Sequence, residues 1–291
     1  MLYFTIAVLL LSGCQPTEVT AAKPTTISIA GATAMRPVLL DLTTEFSRQH
    51  PNVFFEIAGG GSTVGEERVR AKQIDLAAST LISPSITSAL NTVQQSLPLQ
   101  RVPIGLDGLA VIVHQQNPVA QLTLSRLQEM YNGRSWNWQD VGGGDQAITL
   151  ITREDGSGSR MLFDERVMGE TPVSLTAIVM PTSSDVVEYV AKHPEAIGYV
   201  SRAYVLDQLH AQSASQPAAT SQSSELPSIR VVMLEGQLPT NETLRTQSYF
   251  LIQPLYLVSR GQPQGLVKQF VDFALSPAGQ AIVGRHHLAI R

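Results

Sequence analysis

The sequence has almost no cysteine: Cys14 is the only one among 291 residues. No disulfide can form within the chain, and a lone thiol calls for another explanation. It also lacks a basic excess. Lys and Arg number 20 against 24 Asp and Glu, giving a net charge of −4 and a pI near 5.9. That balance argues against a nucleic-acid footprint, although a small anion site works through local donors rather than overall charge. The apolar run at residues 4–12, Phe-Thr-Ile-Ala-Val-Leu-Leu-Leu-Ser, is too short to span a bilayer and suits a signal-peptide core. Signatures of chemistry are missing too. Ser62 and Ser157 have glycine neighbours, yet neither sits in Gly-x-Ser-x-Gly. The 6 histidines are scattered, His286-His287 has no acidic residue beside it, and no His-Glu-x-x-His occurs, so no metal and no cofactor are expected. With 43% hydrophobic residues, this length buries a sizeable core and suggests two domains.

The N-terminus sets the compartment. Leu11-Ser12-Gly13-Cys14 resembles the bacterial lipoprotein lipobox, where the cysteine is acylated and becomes the first mature residue. Cys14 is the expected lipidation site. Residues 1–5 carry no Lys or Arg, where such leaders have a basic segment. Residues 1–13 are then a signal peptide and 14–23 a flexible tether.

The most informative stretch is Arg153-Glu154-Asp155-Gly156-Ser157-Gly158-Ser159-Arg160. It follows the strand-like Ala147-Ile148-Thr149-Leu150-Ile151 and leads into a helical run from Met161. A Gly/Ser turn between strand and helix leaves unpaired N–H groups, and with the helix dipole and the Ser157 and Ser159 hydroxyls they suit one anion. Arg153 adds a planar fork of donors, with Asp155 close enough to hold it. Alone, the stretch fits an anion cradle or a capped helix with a surface Arg–Asp pair.

Similar units recur. Thr26–Ala30 is a short strand running into Gly31-Ala32-Thr33-Ala34-Met35-Arg36-Pro37, where Pro37 opens a helix whose Val38, Leu39, Leu42 and Phe46 share a face. Val53–Ile57 is another strand, followed by Gly59-Gly60-Gly61-Ser62-Thr63 and a helix from Glu66 to Lys72. Consecutive glycines let backbone approach a ligand, but the loop is neither Gly-x-Gly-x-x-Gly nor a P-loop. Repeated turns of this kind at strand carboxyl ends are where open α/β sheets bind ligands. Further strands are expected at 75–80, 107–113, 196–200 and 255–258, a helix at 124–131, and one or two helices at 265–283. Trp136 and Trp138 read as loop anchors, and the Ser/Gln/Ala/Pro-rich residues 211–228 as a mobile insert.

In order, Gly-Ala-Thr, Gly-Gly-Ser-Thr, Asp-Leu-Ala-Ala-Ser, Asp-Gly-Leu-Ala-Val-Ile-Val, Arg-Glu-Asp-Gly-Ser-Gly-Ser, Ala-Ile-Gly-Tyr-Val and Pro-Leu-Tyr-Leu-Val make the chain from about residue 26 to 291 resemble the periplasmic phosphate-binding proteins of bacterial ABC phosphate importers. The resemblance implies an α/β, two-lobed Venus-flytrap periplasmic-binding-protein fold with lobes joined by crossing hinge strands. It places residues 24–112 plus 251–291 in lobe I and 113–250 in lobe II. It implies inorganic phosphate held by Thr33, the Ala34 N–H, Ser62, Arg153, Ser157, Gly158 and Ser159, with Asp155 orienting Arg153. It also implies an exported, membrane-anchored, monomeric protein of the cell envelope that serves an ABC permease and is not an enzyme. One departure matters. The family's Asp-Phe-Gly-Ala-Ser-Asp segment ends in a carboxylate that takes the phosphate proton and repels sulfate, and Thr80 stands there. A hydroxyl carries no charge, so weaker rejection of sulfate is expected. A hydrolase and a scavenging or sensory lipoprotein of the same fold are the rival readings.

Overall fold

The computed structural model describes residues 23–82, 98–213 and 228–290. Cys14, residues 1–13 expected to be a signal peptide, nearly all of the expected tether at 14–23 and most of the expected insert at 211–228 lie outside the described residues.

The chain opens with β1 (Thr25–Gly31), α1 (Arg36–Gln49), β2 (Val53–Gly60), α2 (Gly61–Arg70) and β3 (Leu76–Ser79). β1 pairs in parallel with both β2 and β3, and parallel neighbours need crossover connections, which α1 and α2 supply. Pro37 sits in the first turn of α1, where a missing N–H is harmless. Val38, Leu39, Leu42 and Phe46 form its buried face, as their spacing predicts.

Next come β4 (Leu99–His114), β5 (Gln121–Leu122), α3 (Leu124–Tyr131), β6 (Thr149–Arg153), α4 (Gly158–Phe163), β7 (Ile178–Met180) and α5 (Ser183–Lys192). β8 (Ala196–Ser201), α6 (Leu206–Ser213), β9 (Ile229–Leu234), α7 (Asn241–Arg245) and β10 (Ile252–Arg260) follow, and α8 (Gly265–Leu275), α9 (Pro277–His286) and β11 (Leu288–Ala289) end the chain. Ala211–Ser213 thus finish a helix instead of opening the insert. The end of the chain is two helices, split where Ser276 caps α9 just ahead of Pro277.

The curled sheet runs β2-β1-β3-β10-β4-β8-β6-β7, with β11 and β9 also on β4, and β5 on β9. β4 is 16 residues long, well beyond the strand read at 107–113. Its early part is hard to read because Pro103 interrupts it. There the pairing with β10 shifts register, the place a sheet tolerates proline. The early part pairs with β10 and β11 and the late part with β8 and β9.

That division of β4 separates two cores. Ile27, Ile29, Leu42, Phe46, Ile104, Leu255, Leu257 and Phe270 pack in one. Leu109, Val111, Tyr131, Phe163, Tyr199, Val232 and Leu251 pack in the other, on one face of its sheet. Val186, Val190, Val200 and Leu209 cover the opposite face. β4 and β10 therefore pass from one core to the other as crossing strands. In the second half β6 is parallel to both β7 and β8, so each half offers parallel strand ends to the gap between them. Among the described residues no helix is long and apolar enough to cross a membrane.

Candidate functional site

Strand ends from both halves meet at one place. Ala32, Thr33, Ala34, Gly61 and Thr80 from the first half, and Arg153, Ser157, Gly158 and Ser159 from the second, line a narrow space that is nearly closed by its own walls. Thr33 and Ala34 stand in a single 3-10 turn after β1. Ser62 is in the first turn of α2 and is fully buried just behind the wall. Arg153 ends β6, and Gly158 and Ser159 begin α4, with Ser157 as its N-cap. Every residue expected to hold a ligand is therefore in or against this space, apart from Asp155.

Arg153 is buried, with 2% of its surface exposed. A guanidinium taken out of water needs every donor matched. Nε donates to Glu154 Oε2 and to the Met180 carbonyl, both at 3.0 Å. Nη1 reaches Ser183 Oγ at 3.2 Å, and Nη2 reaches Glu154 Oε1 at 3.0 Å, the Pro181 carbonyl at 3.1 Å and Thr33 Oγ1 at 3.2 Å. The carboxylate that grips the fork is thus Glu154. Asp155 is exposed, and its charge acts on Arg160 and Asp164 instead. The reason is the turn itself. Asp155 lies in the exposed turn, whereas Glu154 lies alongside Arg153.

The hydroxyls around the space share one feature. Thr33 Oγ1 accepts from Arg153 Nη2 and, at 3.3 Å, from the Ser183 N–H. Ser62 Oγ accepts from the Thr80 N–H at 3.1 Å. Ser157 Oγ accepts from the Arg160 N–H at 3.4 Å as an N-cap. Ser159 Oγ meets the Gln253 amide, whose Nε2 is 3.3 Å away. That Nε2 also donates to buried Asp107 Oδ2 at 2.8 Å, which fixes the amide's orientation, and Ser159 Oγ accepts from Nε2 while lying 3.4 Å from Oε1, to which it can donate. Each hydroxyl thus takes a protein donor, and its own proton can turn to the space or to a neighbouring oxygen, Ser183 Oγ for Thr33, Thr80 Oγ1 for Ser62 and Gln253 Oε1 for Ser159. The first-turn N–H groups of α4 add further donors.

Thr80 differs. It is buried, and its Oγ1 lies 3.4 Å from Ser62 Oγ, either one able to donate. Its neighbour Ser79 donates to Glu66 Oε1 at 2.8 Å, and Glu66 in turn pairs with Arg101, whose Nε is 3.1 Å from Oε1. This buried carboxylate is thereby neutralised behind the wall, and among the described residues that line the space none is a carboxylate. The halves also interlock through backbone: Thr63 N–H donates to the Gly156 carbonyl at 3.1 Å. A methyl on Gly158 would stand 2.2 Å from Thr80 Oγ1 and 2.8 Å from Ser62 Oγ.

Sequence reasoning missed Glu154, Ser183, Gln253 and Asp107. Ser183 had a readable signal, since Ile178-Val179-Met180 precedes Thr182 and Asp185, a capping box that opens α5. Gln253 and Asp107 had none, as only the crossing of β4 and β10 joins them. The histidines likewise acquire acidic partners by folding: His286 Nε2 lies 2.9 Å from Asp41 Oδ2 and His287 Nδ1 3.1 Å from Asp107 Oδ1. Of the tryptophans, Trp138 anchors its loop, donating to the Glu195 carbonyl at 2.9 Å, while Trp136 is 66% exposed and anchors nothing. A wider depression near Arg126, Asp140 and Glu235 has its charged groups already spent on backbone. Among the described residues no group of His, Cys, Asp or Glu is placed to hold a metal ion.

Comparison with known proteins agrees with this architecture. The family model of the PBP superfamily domain matches residues 17–278. The phosphate-binding protein PstS of Bacillus subtilis is 24% identical over 251 residues, covering 86% of this chain and 75% of that protein. A chain from Clostridium perfringens, described as a phosphate ABC transporter substrate-binding protein and solved with bound phosphate, superposes with a TM-score of 0.77 at 27% identity, over 92% of this chain and 100% of that one. An ABC-type phosphate transport receptor from Vibrio cholerae gives 0.65 at 26% identity, over 91% of this chain and 100% of that chain.

Proposed function

This chain belongs to the PBP superfamily, and we propose that it is a lipid-anchored binding protein that captures inorganic phosphate between its lobes and delivers it to an ABC importer. The observation that carries the proposal is the set of hydroxyls on Thr33, Ser62, Ser157 and Ser159, each accepting from a protein N–H, gathered around buried Arg153. Such a wall offers donors almost exclusively, and a tetrahedral oxyanion is the ligand that offers acceptors on every side. The names of its relatives in Bacillus subtilis and Clostridium perfringens support phosphate as that anion.

Binding needs no bond to break. Arg153 and Glu154 offset one another, so the anion's charge is met by N–H and O–H dipoles that require little rearrangement. Contacts from Thr33 and Ser62 on one side and Arg153, Ser157, Gly158 and Ser159 on the other favour the closed form. We assign residues 24–112 with 251–291 to one lobe and 113–250 to the other, consistent with the separate cores. Cys14 is the proposed acylation site, with residues 14–23 as the tether to the membrane.

Thr80 favours a second reading of specificity. Its hydroxyl accepts the proton of a protonated phosphate, but without a carboxylate on the wall nothing repels a fully ionised sulfate. Calorimetric titration of the chain from Pro24 onward tests both points. Saturable phosphate binding with measurable sulfate competition is expected. Absence of phosphate binding sinks the function, and sulfate competing no better than chloride sinks the relaxed selectivity. With p-nitrophenyl phosphate no turnover is expected, and measurable hydrolysis would point to an enzyme instead.

A further inference from the structure

The turn that carries Thr33 is gripped from across the cleft by residues outside the ligand wall. Tyr204 follows β8 in a short turn, Arg202–Tyr204, and packs against the second half's core. Its hydroxyl donates to the Thr33 carbonyl at 2.6 Å. Ser183, fully buried as the first residue of α5, donates its N–H to Thr33 Oγ1 at 3.3 Å. Its own hydroxyl accepts from Arg153 Nη1 at 3.2 Å. Thr33 packs with the first half, beside Ala32 and Met35 of its core. One residue of the first lobe is thus held at both backbone and side chain by the second.

We propose that Tyr204 and Ser183 are positioning residues that clasp Thr33 across the cleft, setting how firmly the lobes close over the anion. This rests on the phosphate-binding reading for its ligand but not for its geometry. The Tyr204 hydroxyl is suited to the task, because burial pushes the phenol up from its ordinary range and keeps it a donor at any working pH. The clasp adds to the wall without using up its donors. Thr33 Oγ1 accepts from Arg153 and from the Ser183 N–H, and its proton turns either to the anion or to Ser183 Oγ, 3.5 Å away.

Tyr204→Phe removes one hydroxyl and keeps the ring's packing. The Thr33 carbonyl still accepts from the Arg36 N–H, so no buried acceptor is orphaned and the cost is that of one net hydrogen bond. That corresponds to about three- to tenfold in an equilibrium constant. If the ligand-free lobes stand open, the whole effect falls on phosphate Kd, through faster release. If they stand closed, it falls on the ligand-free shape.

The experiment measures phosphate Kd by calorimetry and the ligand-free radius of gyration by X-ray scattering, for the parent and Tyr204→Phe, with melting temperature as a folding check. The expected result is a three- to tenfold weaker Kd or an expanded ligand-free protein, at a melting temperature close to the parent's. Ser183→Pro is the second variant, used where the first lowers melting. It deletes the N–H at the first helical position, where proline is tolerated, together with the hydroxyl that meets Arg153 Nη1; read against Ser183→Ala, which loses only that hydroxyl, it shifts the same readouts in the same direction. Unchanged Kd and unchanged radius overturn the clasp. Should the parent bind no phosphate, the proposed function fails while scattering still decides the clasp: a parent that stands open without ligand, or a closed one whose radius Tyr204→Phe leaves unchanged, counts against it.

Discussion

At the scale of single residues, charge balance at Arg153 governs the site. Its fork faces Glu154, two backbone carbonyls and two hydroxyls, so its position is fixed by many partners and its charge by one. Arg153→Ala leaves the Glu154 carboxylate unpaired beside the bound anion. On the scale of broken buried charge pairs it is expected to cost about 3 kcal/mol or more, at least a hundredfold in phosphate Kd by calorimetry. Glu154→Gln acts on the ligand-free protein. The buried guanidinium then lacks its counter-charge, so the ligand-free melting temperature falls and the upward shift on adding phosphate grows. Asp155→Asn, at an exposed turn tip, changes neither. Thr80→Asp restores a carboxylate at the wall. It is expected to lower the affinity for sulfate relative to phosphate by at least about tenfold, the scale of one misplaced like charge or unpaired polar group. Equal loss of both anions in competition titrations would remove Thr80 from the account of selectivity. The sequence made Arg153 legible but not the carboxylate beside it. Glu154 and Asp155 are chemically alike, and the turn's dihedral angles choose between them.

At the scale of elements, the site is a set of βα turns, and most were readable. Thr33, Ser62 and Ser157–Ser159 were located because a short apolar strand, a Gly/Ser turn and an amphipathic helix each leave local marks. The turn between β7 and α5 was not read, since β7 spans only Ile178–Met180 and is mostly exposed. Strands this short lack the alternation that reveals longer ones. Glycine at the head of α4 is required for space. A Gly158 methyl would press on Thr80 Oγ1 at 2.2 Å, with no strain in its own backbone to complicate the result. Gly158→Ala is therefore expected to keep its far-UV circular dichroism and melting temperature while losing phosphate binding by at least about tenfold. A folded variant with parental Kd would mean that α4 and Thr80 do not approach this closely on the ligand.

At the scale of the molecule, β4 and β10 tie the site to both cores. Gln253 on β10 joins Ser159 in the wall to Asp107 on β4, and Asp107 joins His287 beyond α9, all fully or almost fully buried. Ligand contact and the crossing strands share one hydrogen-bonded network, which suits a hinge that must respond to closure. Burial in the second core also sets an alkaline limit. Tyr131, Tyr199 and Tyr249 are pushed well above their ordinary value of 10.0, chiefly by desolvation. A phenol whose folded pKa exceeds its unfolded pKa contributes stability that is complete below the unfolded value and is lost as pH rises above it. The fold is therefore expected to weaken progressively above about pH 10, with these tyrosines ionising only as it opens. Absorbance at alkaline pH, followed together with circular dichroism, checks this: ionisation of all tyrosines in a fully folded protein would contradict it.

By itself the sequence determined the elements and the chemistry each presents. Strand alternation, helical periodicity, glycine turns and a cationic fork act through neighbours a few residues apart, so they leave a local record. Only the tertiary structure decided which groups meet. The oriented Gln253 amide, the acidic partners of the histidines and the grip of Tyr204 on Thr33 depend on residues far apart in the chain, and the choice of Glu154 over Asp155 for Arg153 depends on how the turn is folded. Those contacts follow from the packing of whole halves against one another, and no short window of sequence contains both partners of most of them.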